Sequence, residues 1–87
     1  MTEKIIPITS NLEARSAALF VQTAGKFKSV IKVNIGDKVV NAKSIMGIIS
    51  LGIFEGQTVK ITAEGEDEDL ATAELEQFLN SCETTSV

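Results

Sequence analysis

Val30-Ile31-Lys32-Val33-Asn34-Ile35-Gly36-Asp37-Lys38-Val39-Val40-Asn41 is the stretch that decides the fold. Its first six residues alternate, which places Ile31, Val33 and Ile35 on one face of a strand. Gly36-Asp37 is a two-residue turn signal, because glycine accepts positive φ, and Lys38 to Asn41 then returns as the partner strand. Strands this short and half-polar bury one face only, so helices are expected over one side of an antiparallel sheet.

Outward from this hairpin, the remaining segments follow two periods. Upstream, Ser16 to Gly25 has helical spacing, with Ala17, Phe20, Val21 and Ala24 on one stripe and Gly25 at its end. Before it, Ile5-Ile6-Pro7-Ile8 predicts a strand with Ile6 and Ile8 inward, and Pro7, which has no N–H to donate, places that strand at a sheet edge. Downstream, Ser44 to Leu51 predicts a short helix closed by Gly52. Thr58 to Ala63 alternates again, with Val59, Ile61 and Ala63 inward. Asp67 to Cys82 predicts an amphipathic helix with the stripe Ala71, Leu75, Phe78, Leu79 and Cys82. The fold class is therefore α+β, a two-layer open-faced sandwich in the order β-α-β-β-α-β-α.

Eighty-seven residues make a single domain, residues 1–87, with 83–87 expected to fray. Formal charge is −4 and no Lys/Arg cluster is present, which argues against direct nucleic-acid binding. With one cysteine and no histidine there is no disulfide framework, no Cys/His metal set and no Ser-His-Asp triad. Neither a metal nor a cofactor is expected, nor an enzyme activity. The N-terminus lacks a signal-type apolar core, and nothing approaches the ~20 apolar residues of a membrane span. A cytoplasmic protein without membrane contact is the expectation. The acidic run Glu64, Glu66, Asp67, Glu68, Asp69 suits a helix start, with Asp67 as its cap. Cys82 reads as a packing residue.

Two stretches carry possible chemistry. The first is Asn11-Leu12-Glu13-Ala14-Arg15-Ser16-Ala17 and the second is Lys43-Ser44-Ile45-Met46-Gly47. Ser10-Asn11-Leu12-Glu13 fits a capping box that would start a helix near Asn11, with Glu13 reaching back to the cap. Ser44 precedes an apolar run and reads as a helix N-cap. Ile45, Met46 and Ile49 cannot all turn inward from so short a helix, and Ala18 and Gln22 lie off the buried stripe of the first helix. Grouped apolar side chains of this kind mark a binding patch.

Together with Gly65-Glu66-Asp67-Glu68, these stretches resemble the HPr family of phosphocarriers, over nearly the whole chain. The resemblance implies a four-stranded sheet of order 1-4-2-3, in agreement with Pro7 at an edge. It places Glu13 in the loop before the first helix, where the family's histidine takes up a phosphoryl group. A carboxylate there is a poorer nucleophile toward phosphorus and would give a labile acyl phosphate. Ser16 replaces the usual proline, Asn11 the usual glycine, and Arg15 matches. Ser44 stands at the family's regulatory serine. A chain without the histidine but with that serine resembles the catabolite-repression members of the family.

That resemblance implies phosphorylation of Ser44 by HPr kinase/phosphorylase and docking onto CcpA, a LacI-type regulator. Arg15 and the phosphorylated Ser44 would supply charged contacts, and Ala18, Gln22, Ile45, Met46 and Ile49 the surface around them. The alternatives are a phosphocarrier working through Glu13 and a modulator of a metabolic enzyme.

Overall fold

The computed structural model describes residues 1–9 and 11–81. The expectations for Ser10 as a cap, for Cys82 as a core residue and for a frayed tail lie outside them. Along the chain run β1 (Thr2–Pro7), α1 (Ala14–Gly25), β2 (Val30–Ile35), β3 (Lys38–Asn41), α2 (Ile45–Leu51), β4 (Thr58–Glu64) and α3 (Glu68–Ser81). The four strands form one sheet of order β1-β4-β2-β3 with every pair antiparallel. Pro7 therefore lies on an edge strand, opposite Thr58.

The alternation within each strand fixes which face is covered. Ile6, Ile31, Val33, Val59, Ile61 and Ala63 are buried beneath the helices, whereas Ile5, Val30 and Val39 point to the open face and are exposed. From α1 come Ala17, Phe20 and Ala24, from α2 Ile48 and Leu51, and from α3 Ala71, Leu75 and Leu79, all in the same core cluster. Phe20 and Phe78 meet edge-on with ring centroids 5.9 Å apart. Ile35 and Val21, both expected inward, are only partly buried against this core. Gly36 takes φ +58 in the β2–β3 turn, where a side chain would be strained.

Several boundaries differ from the sequence reading, each for a local reason. β1 spans Thr2–Pro7 and stops before Ile8, although the Ile8 N–H still donates to the Gln57 carbonyl at 2.8 Å. α1 begins at Ala14, two residues before Ser16, because Glu13 serves as its N-cap in an extended conformation. This excludes the capping-box start near Asn11 and a cap at Ser16. Gly25 ends α1 without a left-handed cap: the Lys26 N–H bonds to the Thr23 carbonyl and Phe27 N–H to Ala24 in tighter turns, each at 3.2 Å.

The acidic run before α3 does more than balance a helix dipole. The Asp67 carboxylate accepts from the Lys28 N–H at 2.8 Å, the Ser29 N–H at 3.0 Å and the Ser29 hydroxyl. Glu68 accepts from the Gly65 N–H at 3.1 Å and from the Thr2 hydroxyl at 2.8 Å. Asp67 is thus committed to the turn between α1 and β2, and its side chain closes a contact between elements distant in sequence.

Candidate functional site

The first site is built by the loop that leads into α1. Leu12 N–H donates to the Ile53 carbonyl at 2.9 Å, and the Asn11 side-chain oxygen accepts from the Glu55 N–H at 2.8 Å. The chain just before α1 is therefore stitched to the chain just after α2. Glu13 stands at φ −82, ψ 174, and its carbonyl accepts the first helical bond from Ala17 at 2.7 Å. Its exposed carboxylate makes no cap hydrogen bond, and the first turn of α1 contains no other acid. Arg15, Ala18 and Gln22 are exposed as well, and none of them lies in the core.

The second site opens α2. Ser44 is its N-cap, with the Ser44 hydroxyl oxygen accepting from the Gly47 N–H at 3.1 Å. A Cβ at position 47 would lie 3.3 Å from the Ser44 Oγ and from the Val40 Cβ, so glycine keeps room around the hydroxyl. The preceding turn is held by backbone and side chain: Ser44 N–H donates to the Asn41 carbonyl at 3.0 Å, and Lys43 N–H to the Asn41 side chain at 2.9 Å. Lys43 is half-buried, and its ammonium donates to the Phe27 carbonyl at 2.7 Å.

α2 separates the two sites. Its seven residues span about 10 Å at the helical rise, with Ser44 at one end and the segment that binds Asn11 and Leu12 at the other. The residues between divide by helical face. Ile48 and Leu51 are buried, whereas Ile45 is 36% exposed, Ile49 48% and Met46 72%. Phe54, just past α2, is also exposed, a residue to which the sequence reading assigned no place. Among the described residues no group of His, Cys, Asp and Glu side chains is placed to hold a metal. No helix of the described residues is long and apolar enough to cross a membrane.

The known family described as the PTS HPr component phosphorylation site matches residues 2–81. The chain belongs to the HPr family. Similar members include the HPr-like protein Crh of Halalkalibacterium halodurans, 46% identical over 81 residues, which cover 91% of this chain and 96% of that protein. The crystal structure of HPr-C-His from Thermoanaerobacter tengcongensis superimposes with a TM-score of 0.91 at 49% identity, with both chains covered completely. Crh from Bacillus subtilis, described as a catabolite repression protein with a swapping domain in a dimer, matches with a TM-score of 0.74 at 43% identity and 86% of each chain. The open-faced sandwich is thus the HPr fold, and HPr-like proteins named Crh are among its relatives.

Proposed function

We propose that this HPr-family chain is a regulator of carbon catabolite repression and not a phosphocarrier. Ser44 is its switch, phosphorylated by HPr kinase/phosphorylase. The Ser44 hydroxyl oxygen attacks the terminal phosphorus of ATP, its proton passes to a base of the kinase, and ADP leaves. The phosphorylated chain then docks as corepressor onto a CcpA-type regulator of the LacI family. Arg15 and the phosphate supply charged contacts, and Ile45, Met46, Ile49, Ala18 and Gln22 the adjoining surface. DNA is reached only through that partner, in keeping with the acidic charge.

One observation carries this reading: the chain has no histidine and presents Glu13 at the start of α1, while a serine hydroxyl caps α2 beside exposed Met46 and Ile49. A phosphate adds about −1.5 to −2 charges at neutral pH. At a helix start that charge is tolerated, so modification changes the surface a partner meets and leaves the fold in place. The relatives named Crh support the same assignment.

Kinase labelling of the wild type against Ser44→Ala tests it, followed by binding of the labelled protein to the regulator. Label on Ser44 with phosphorylation-dependent binding is the expected result. Label arriving instead at Glu13 from phosphoenolpyruvate and the system's first enzyme would establish a carrier.

A further inference from the structure

One peptide group in the turn after α1 is held between two opposite charges. The carbonyl of Phe27 accepts from the Lys43 ammonium at 2.7 Å, and the N–H of the same peptide, that of Lys28, donates to the Asp67 carboxylate at 2.8 Å. The peptide dipole points its negative end at the cation and its positive end at the anion. Both bonds are charge-assisted, the stronger kind. The carbonyl lies just beyond the C-terminal end of α1, whose own last turn contains no cation. Lys43 supplies one from the residue next to Ser44.

We infer that Lys43 is a positioning residue for Ser44, its charge spent inside the fold on the Phe27–Lys28 peptide and not offered to the modifying kinase. The inference rests on Ser44 being the modified residue. The turn that delivers Ser44 is tied by Asn41 from within itself, and by the Ala42 N–H to the Ile31 carbonyl at 2.9 Å on the sheet side. Lys43 is the tie toward α1. The residue is half-buried, and the bond spans 16 residues of sequence. With both sides tied, the Ser44 hydroxyl is presented in one orientation, as in-line attack on phosphorus requires. A lysine read by the kinase would keep its ammonium free of contacts within the fold. Here it is taken.

Lys43→Met keeps the packed stem and removes the donor, and Lys43→Arg restores a donor on a long side chain. In amide NMR spectra Lys43→Met is expected to shift the Lys28 resonance and Lys43→Arg to return most of it. In steady-state labelling of Ser44 with ATP and kinase, Lys43→Met is expected to lower kcat on the order of tenfold with KM for the protein little changed. Lys43→Arg is expected to recover kcat. Circular dichroism checks that each variant is folded. A labelled wild type together with a Lys43→Met variant that loses only KM, or nothing, overturns the inference alone. An unmoved Lys28 resonance overturns it as well. An unlabelled wild type removes the Ser44 reading itself, and the positioning role with it.

Discussion

Ser29 and Asp67 lie 38 residues apart and are joined twice, by the Ser29 N–H and the Ser29 hydroxyl to the same carboxylate oxygen. Ser29 is wholly buried, and Asp67 directly precedes α3. The pair therefore locks the end of the α1–β2 turn to the beginning of the last helix. Ser29→Ala removes one of these bonds from a buried position. It is expected to lower the urea midpoint with no change in the slope of the transition, as a loss of native-state bonding should.

The acid limb of stability should report the same carboxyl. The Ser29 hydroxyl first, and then the Lys28 N–H, hold Asp67 below the ordinary carboxylate value, and the Gly65 N–H followed by the Thr2 hydroxyl do so for Glu68. Both groups bind protons less readily folded than unfolded. Their contribution is complete above the unfolded values of ~4 and is lost as pH falls through the lowered folded ones. Urea midpoints should stay level from neutral pH to about pH 5 and drop below about pH 4. Asp67→Asn should start lower and show a shallower acid decline.

Gly65 faces Ser29 at close range. A Cβ there would sit 2.7 Å from the Ser29 Cα, a backbone atom that cannot swing aside. Gly65→Ala is expected to cost about 1–3 kcal/mol through overpacking. Gly25, by contrast, has open space around it and a conformation inside α1. Gly25→Ala should stabilise by ~0.4–1 kcal/mol. Chemical denaturation of the two variants checks the opposite signs.

Ser44→Ala removes a helix cap as well as a hydroxyl that a kinase would use. The lost bond from Gly47 is expected to cost ~0.5–2 kcal/mol, measurable by thermal unfolding. Ser44→Asp retains a capping oxygen and should lose less. A Ser44→Ala variant that is folded yet fails to bind the regulator after kinase treatment therefore reports the missing phosphate.

Along α2, neighbouring apolar residues should give opposite readouts. Ile48→Ala empties a core position and is expected to cost about 2–5 kcal/mol. Met46→Ala and Ile49→Ala touch solvent-facing side chains and should stay within ~0.5 kcal/mol of wild type, while weakening the complex of the Ser44-phosphorylated chain with its regulator by calorimetry. Full binding by both variants would remove these residues from the docking surface.

Much of the fold was readable locally. Period-two alternation set the faces of β2 and β4, and Gly36-Asp37 set the turn from β2 to β3, because side-chain direction in a strand follows from residue parity. The stripes of α1 and α3 were likewise legible. The start of α1 was not, since Asn11, Ser16 and Glu13 all have capping chemistry. The bonds from Leu12 to Ile53 and from Asn11 to Glu55 belong to the folded loop that leaves Glu13 as the cap. At the candidate site, Ser44 as a cap was visible from its place before an apolar run. The exposure of Phe54 was not, because a lone aromatic in a loop has no period to betray its direction.

The sequence by itself determined the order of elements, most inward residues of β1, β2 and β4, the absence of a histidine nucleophile and the presence of a serine before α2. These depend on chemistry and spacing within a few residues. Only the tertiary structure decided where Asp67 and Lys43 direct their charges. Their partners, Ser29 and Phe27, lie 38 and 16 residues away. Such bonds exist only once sheet order has brought the α1–β2 turn between the start of α3 and the turn before Ser44.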